Sequence, residues 1–255
     1  EWLEEFCARY PREVGLPFGI WAHPALVTEE QVRRLKDAGL ATVVMGVESG
    51  SAQVRREVLN RKETNARILA SAEILHRHGI KVGYDFILDI PWLTEENCQG
   101  TFDLVMQLPR PFEVGLHSLT FLPRTALGER ALAEGLIRPE QIAQADRPLA
   151  ERFESFRWKY RLDARSRRAA YWHSLIYLAS MSFVPHSLLR RLRRLKPLLQ
   201  RFPQPLVLAA EVARRRQATG ETQLFEAFAS LYPGPAAFLA RHPWLSRTLN
   251  SLLRP

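Results

Sequence analysis

The stretch "ATVVMGVESGS" at residues 41–51 is the clearest indication of how this chain folds. Its residues up to Val47 are nearly all apolar and several are β-branched, which is typical of a strand covered on both faces in a parallel sheet. Glu48 and Ser49 follow, and Gly50 permits a sharp turn. The stretch therefore predicts a buried parallel strand that delivers a carboxylate and a hydroxyl to one end of a sheet.

Similar apolar runs surround this strand, and each is followed by a helical pattern. The predicted strands cover residues 17–23, 41–49, 80–91 and 112–123, and Thr28 and Thr94 are predicted to cap two of the helices. Strand followed by helix, four times in succession, predicts parallel strands with right-handed crossovers. We expect part of a β/α barrel, open or truncated, with a doubly wound sheet as the alternative. In both folds the chemistry lies at the carboxyl ends of the strands.

The charge distribution predicts two regions. Residues 1–140 hold 16 Lys or Arg and 20 Asp or Glu, a sum of −4, whereas residues 141–255 hold 20 and 7, a sum of +13. We therefore expect an α/β region over 1–140 and a basic α-helical C-terminal region over 141–255.

Cysteine content and missing motifs narrow the class of protein. Cys7 and Cys98 form no disulfide or metal-binding pattern, and the chain shows no signal peptide, so we expect a cytoplasmic protein. The weakly polar run 171–185 is too short to span a bilayer. No P-loop, GxGxxG, GxSxG or HExxH motif is present. Because the sequence begins at Glu1, we expect processing or an excerpt from a longer protein.

Two carboxylates are the strongest candidates for a binding site. Glu48 either meets solvent or caps the next helix, or it accepts hydrogen bonds from a polar ligand such as a ribose above the sheet. Asp85 lies inside an apolar strand, where a carboxylate needs a partner or a polar cavity. It either pairs with a Lys or Arg or lines a polar interior together with Gly83 and Ile87.

Three other residues near the predicted strand ends are candidates for either a structural or a binding role. Trp92 either offers a face for stacking or covers the end of the core. His117 is interpreted as a core histidine. Arg61 either meets a carboxylate or phosphate or lies in a solvated loop.

Five segments, taken in order and with their spacing, resemble the later strands of the radical S-adenosylmethionine enzymes. They are "GVESGS" (46–51), "LNRKET" (59–64), "HGIKVGYDFILDIPWLTEEN" (78–97), "LPRPFEVGLHSLTFLPRTAL" (108–127) and "ERALAEGLI" (129–137). The subgroup that carries a cobalamin-binding domain ahead of its barrel is the most similar. The resemblance covers residues 1–140.

The resemblance implies a six-stranded partial barrel in which a [4Fe–4S] cluster reduces and cleaves S-adenosylmethionine to a 5′-deoxyadenosyl radical. Glu48 and Ser49 match the positions that meet the ribose and methionine portion, and Arg61 matches an arginine facing the methionine carboxylate. The segments beside the adenine are matched by four residues, Asp85, Ile87, Leu122 and Pro123. The resemblance also implies cobalamin in the full-length protein.

This chain departs from the family pattern in ways that affect the expected activity. The CxxxCxxC loop that holds the cluster is absent, and the two cysteines do not replace it because three thiolates must converge. Asp89 and Arg124 stand where glycine is usual, and we expect them to pair across neighbouring loops. The chain is therefore expected to be the C-terminal part of such an enzyme, with no metal site and no activity of its own.

The basic region supports several interpretations. Its aromatic residues at helical spacing predict a core; they are Phe153, Phe156, Tyr160, Tyr171 and Trp172. Segment 186–202 is predicted as a helix with leucines on one face and basic residues on the others. It is either a solvated helix docked by its leucines, or a contact with an anionic membrane surface. The pI of 10.1 also allows nucleic-acid binding, but no nucleic-acid motif supports it.

Two functions follow from these observations. The first is a radical S-adenosylmethionine enzyme whose cluster ligands lie outside this sequence and whose substrate the sequence does not reveal. The second is a catalytically inactive half-barrel that binds a partner, with a basic tail for anionic membranes or nucleic acid.

Overall fold

The computed structural model describes residues 1–117, 119–143 and 164–220, which form parts of two compact units, Glu1–Phe156 and Arg157–Pro255. The boundary predicted near residue 140 stays a prediction, because residues 144–163 lie outside the described ranges.

The described part of the first unit alternates strands with helices, as the sequence predicts. Its elements in chain order are α1 (Trp2–Glu13), β1 (Phe18–Ala22), a 3₁₀ turn (Pro24–Leu26), α2 (Glu29–Asp37), β2 (Leu40–Glu48), α3 (Ala52–Glu57), α4 (Asn65–Arg77), β3 (Lys81–Ile87), α5 (Glu95–Val105), β4 (Glu113–His117), α6 (Ala126–Ala133) and α7 (Pro139–Ala143).

The four strands form one parallel sheet in the order β1-β2-β3-β4. The predicted α/β class is confirmed. A doubly wound sheet reverses its direction at a switch point, whereas this order never reverses. Because each right-handed crossover steps the same way, the connecting helices all cover the same side of the sheet. This is the arrangement of a wall of a β/α barrel, which is the fold that the sequence predicts, with a doubly wound sheet as its alternative.

Burial alternates from Val43 to Glu48 in β2, from Tyr84 to Ile87 in β3 and from Gly115 to His117 in β4, and it separates the two faces of the sheet. The side that the helices cover carries side chains with almost no exposure: Val43, Met45, Tyr84, Phe86 and Leu116. The other side, which we call the open face, is partly exposed and carries glycines, polar residues and Trp21, which is 83% exposed. The core therefore lies between the sheet and its helices, and the open face remains accessible.

The helices begin where hydroxyl side chains accept hydrogen bonds from their first turns. Thr28 accepts from the amide of Gln31 in α2. Thr94 and Asn97 form a reciprocal capping box at α5, in which each side chain bonds the other residue's backbone amide. Both predicted threonine caps are confirmed, and Ser51, Thr64 and Thr125 act in the same way.

Two strands are shorter than the sequence predicts. The strand predicted over 80–91 ends at Ile87, and the strand predicted over 112–123 ends at His117. Beyond these ends the amide of Leu119 donates to the Asp89 carboxylate at 2.9 Å. A hydrogen bond between neighbouring loops therefore takes the place of continued strand pairing.

The described part of the second unit is helical, as predicted, with α8 (Ala164–Ser180), α9 (His186–Arg194), α10 (Lys196–Arg201) and α11 (Gln204–Thr219). Tyr171 and Trp172 are fully buried, which confirms them as core residues, whereas Phe153, Phe156 and Tyr160 lie outside the described residues. The amphipathic segment 186–202 is interrupted at Leu195, because Pro197 cannot continue the hydrogen bonding of α9. Within the described ranges, no helix combines the length and the apolar character that crossing a bilayer requires.

Candidate functional site

A row of three residues in register, Gly46, Asp85 and Gly115, crosses the open face near the carboxyl ends of β2, β3 and β4. Glycine on both sides leaves the Asp85 carboxylate between stretches of backbone without side chains. Ile87 lies two residues further along β3, in register with His117. The prediction that Gly83, Asp85 and Ile87 share one face agrees with the alternation of the strand.

Glu48 ends β2 with an unusual backbone conformation and a side chain turned back over the sheet. Its φ is 65°, in the left-handed region that non-glycine residues rarely adopt. A Cβ atom on Gly46 would lie 2.6 Å from Glu48 Oε1, so the carboxylate occupies the space that the glycine leaves. The register of β2 against β3 also shifts between Gly46 and Glu48. This irregularity directs the Glu48 carboxylate onto the open face.

Arg61 fixes the Glu48 carboxylate from the loop between α3 and α4. Its guanidinium donates to Glu48 Oε1 at 3.1 Å, to the Gly46 carbonyl at 2.7 Å and to Glu63 Oε1 at 2.7 Å. The Glu63 side chain is 1% exposed, and its other oxygen lies 3.6 Å from His23 Nε2 at the end of β1. Arg61 therefore holds two carboxylates of this chain, which agrees with the interpretation in which it meets a carboxylate and not with a solvated loop.

Asp85 faces a histidine, whereas the sequence offered a Lys or Arg partner as one interpretation. Asp85 Oδ1 lies 3.2 Å from His117 Nε2, with the two side chains 25% and 43% exposed. A Cβ atom on Gly115 would lie 2.0 Å from that same oxygen and 2.9 Å from His117 Nε2. The expectation of a core position for His117 was wrong, because its side chain shares the open face with Asp85.

The electrostatic surroundings shift the pKa values of Glu48 and Glu63 in opposite directions. Burial raises the pKa of the Glu48 carboxyl, and nearby Asp85 adds to the rise while Arg61 opposes it. Burial also acts to raise the pKa of Glu63, but the hydrogen bond from Arg61 and that residue's charge hold it below its ordinary value. Glu48 is thus the carboxylate of this pair that would gain more from an additional hydrogen-bond donor.

A buried arginine that the sequence did not single out holds the loop behind Glu48. Arg55 is fully buried and donates to the carbonyls of Ser49 and Glu63 and to the Asn65 side chain. Asn65 in turn donates to the Gly50 carbonyl at 3.0 Å. An arginine at the fourth position of a short helix gives no local signal of burial, because its acceptors come from loops that only the fold brings together.

Ser49 points away from the open face. It is fully buried, its hydroxyl lies 3.4 Å from that of Thr101 in α5, and it accepts from the Ser51 amide at 3.1 Å. Gly50 permits this packing, since a Cβ atom there would lie 2.4 Å from the Thr101 Cα. The structure therefore gives Ser49 and Gly50 the role of joining β2 to α5, and the ligand contact expected of Ser49 stays a prediction.

The remaining predicted residues lie in the loops beyond the strands. Leu122 and Pro123 are exposed between β4 and α6, where the Leu122 carbonyl accepts from Thr125. Their contact with an adenine stays a prediction. Asp89, expected to pair with Arg124, accepts from the Leu119 amide.

Trp92 is engaged by α6. Its indole N–H donates to Glu134, and the Arg130 guanidinium lies 4.4 Å from the ring centroid. These contacts make Trp92 a packing residue between the loop after β3 and helix α6.

The residues present do not fit an iron–sulfur cluster. Such a cluster takes thiolate ligands, and the chain has only Cys7 in α1 and Cys98 in α5, neither of them in a disulfide. In the described ranges, no group of three or more His, Cys, Asp or Glu side chains is arranged to hold a metal ion.

Comparisons with known proteins agree with the resemblance found in the sequence. Residues 1–105 match the family model described as the Radical SAM superfamily. No curated protein matches the chain.

Three solved structures are similar to parts of the chain. The radical S-adenosylmethionine methyltransferase TsrM from Kitasatospora setae, with cobalamin and a [4Fe–4S] cluster bound, is 19% identical with a TM-score of 0.45, over 52% of this chain and 27% of its own. Coproporphyrinogen III oxidase (HemN) from Escherichia coli is 22% identical with a TM-score of 0.42, over 51% and 30%. The cobalamin-dependent S-adenosylmethionine radical enzyme OxsB is 13% identical with a TM-score of 0.40, over 99% and 46%. The chain matches less than half the length of each.

Proposed function

We propose, from the match of residues 1–105 to the Radical SAM superfamily model, that the open face of the sheet is the part of a radical S-adenosylmethionine enzyme that binds the adenosyl portion of S-adenosylmethionine. The observation that carries this proposal is the juxtaposition of Glu48, Asp85 and His117 on one face around the glycines of the row. Hydrogen-bond acceptors beside bare backbone suit a flat, donor-rich ligand.

Each residue of the site has a proposed task. The carboxylate of Glu48 accepts hydrogen bonds from the ribose hydroxyls, and Arg61 fixes its orientation through the two hydrogen bonds to Glu48 and Gly46. Asp85 accepts from the adenine side of the ligand, while His117 holds the Asp85 carboxylate in place. Ile87, on the same face, supplies an apolar contact for the base.

The methionine carboxylate requires a different assignment from the one the resemblance implies. Arg61 already donates to Glu48, to Glu63 and to the Gly46 carbonyl. Each nitrogen of its guanidinium therefore already donates one hydrogen bond to a group of this chain. We therefore assign Arg61 to positioning Glu48.

The radical chemistry of the family requires thiolates that this chain does not contain. We propose that residues outside this sequence supply the [4Fe–4S] ligands, and that reductive cleavage of S-adenosylmethionine takes place only when they do. The proposal that the full-length protein binds cobalamin rests only on the motif resemblance in the sequence. Reading the coding sequence upstream of Glu1 for a CxxxCxxC segment tests where the ligands come from.

Titration calorimetry of the chain with S-adenosylmethionine tests the binding site directly. Glu48→Ala removes charged hydrogen bonds that are each worth about 1.5–3 kcal/mol, so its affinity should fall by about 10- to 150-fold. Glu113→Ala is the matched control, because Glu113 lies at the opposite end of β4 and is exposed. Equal affinity in the Glu48 variant and the wild-type chain would overturn the assignment of Glu48.

A further inference from the structure

The second unit carries an exposed apolar stripe along α9 and α10. Leu188, Leu195, Leu198 and Phe202 are 45%, 51%, 59% and 55% exposed, and they are separated by seven, three and four residues. Leu188 lies on α9, Leu195 at the junction of the two helices, Leu198 on α10 and Phe202 directly after it. Leu189, by contrast, is fully buried, and the Tyr171 hydroxyl of α8 reaches the Leu192 carbonyl. One face of α9 is thus docked and another presents large apolar side chains to solvent.

Arginines accompany this stripe. Arg190, Arg191, Arg194 and Arg201 are exposed along the same two helices, and the Arg201 guanidinium lies 5.6 Å from the Phe202 ring centroid. Between residues 164 and 220 the chain has twelve Lys or Arg and a single acidic residue, Glu211. Glu211 is 6% exposed and pairs with Arg214 and Arg215. The surface that includes the stripe therefore has no exposed acidic residue to balance its charge within 164–220.

We propose that this stripe and its arginines, residues 186–202, bind an anionic lipid surface, with α9 and α10 lying in the plane of the interface. Leucine and phenylalanine side chains would enter the boundary between headgroups and acyl chains, and the arginines would contact lipid phosphates. This inference does not depend on the proposed function of the first unit.

The same observations argue against other occupants of the surface. The same stripe of a second copy would bring arginines against arginines, which costs free energy. Nucleic acid would satisfy the arginines but would leave four large apolar side chains facing phosphates and water. A lipid interface accommodates both groups at once.

Flotation of the chain with vesicles tests the proposal. Vesicles of 30% phosphatidylserine in phosphatidylcholine should bind the chain, vesicles of phosphatidylcholine alone should bind it much more weakly, and binding should fall with added salt. Each arginine near the surface contributes about five-fold to the affinity, so R190Q/R191Q/R194Q should weaken binding by about a hundred-fold.

Apolar variants separate insertion from simple charge attraction. L195S/L198S should also weaken binding, whereas L26S and L136S, at exposed leucines of the first unit, should leave it unchanged. Circular dichroism checks that every variant keeps its helices. Full binding by L195S/L198S, equal binding to neutral and anionic vesicles, no binding to either, or displacement of the vesicles by RNA at equal charge would each overturn the proposal.

Discussion

Gly115→Ala is the most specific test of the candidate site, because it adds one methyl group where the structure leaves no room. The new Cβ would lie 2.0 Å from Asp85 Oδ1 and 2.9 Å from His117 Nε2. The Asp85 carboxylate is at the end of a short side chain and must rotate away, which separates it from His117 and from any ligand on the open face. The backbone of β4 has no such conflict.

Gly115→Ala should change the free energy of unfolding only slightly but should weaken ligand binding strongly, so the test separates a binding role from a structural one. Alanine in place of glycine within a strand stabilises by about 0.5–1 kcal/mol, and loss of a partly exposed ion pair costs about 0.2–1 kcal/mol. The free energy of unfolding should therefore change by less than about 1 kcal/mol. Binding of S-adenosylmethionine loses a charged hydrogen bond, about 1.5–3 kcal/mol, and should weaken by about 10- to 150-fold.

Gly83→Ala is the matched control for this experiment. Gly83 lies on the same face of the neighbouring strand, and a Cβ there would meet its nearest atoms, in Val44 and Glu113, at 3.8 and 3.9 Å, which is ordinary contact. Titration calorimetry and thermal unfolding of both variants are the measurements. If Gly115→Ala binds S-adenosylmethionine as tightly as Gly83→Ala and the wild-type chain, Asp85 does not contact the ligand.

Three further predictions concern stability. Gly50→Ala should destabilise the chain by about 1–3 kcal/mol, since its Cβ would lie 2.4 Å from backbone of α5, while Gly100→Ala in that helix, with 4.0 Å of space, should stabilise it by up to about 1 kcal/mol in urea unfolding. Arg55→Ala should lower the free energy of unfolding by about 3 kcal/mol, because it leaves buried acceptors without a donor. Arg56→Ala, at the exposed neighbouring residue, should change it by no more than about 0.5 kcal/mol. Burial raises the pKa of Glu48 above 4.5, so the folded state holds that proton more tightly than the unfolded state, and the contribution that Glu48 makes to stability should fall as pH rises from about 4.5. Glu48→Gln should remove this fall, and an unchanged pH profile in denaturant titrations would contradict the shift.

Local signals in the sequence account for the elements that were predicted well. The caps at Thr28 and Thr94 depend only on contacts within four consecutive residues. The apolar run before Glu48 likewise predicts β2 without reference to the rest of the chain. The alternation that places Gly83, Asp85 and Ile87 on one face is likewise a property of a single strand.

Contacts between distant residues account for the predictions that failed. The end of β4 depends on the hydrogen bond between Leu119 and Asp89, thirty positions apart, and its apolar continuation past His117 resembles a longer strand. His117 faces Asp85 only because of the register between β3 and β4, which neither strand specifies alone. Arg61 and Arg55 resemble solvated loop and helix residues until folding brings their acceptors around them.

The glycines of the row impose a direction on how this surface can change in evolution. At Gly46 and Gly115 every substitution adds atoms, and the first atom added already collides with a carboxylate. Substitutions at these two glycines can therefore fill the space above the open face but cannot enlarge it. Descendants of this sequence that acquire new specificities should then vary in the loops beyond β3 and β4. The two glycines should either stay unchanged or be lost together with the space above them.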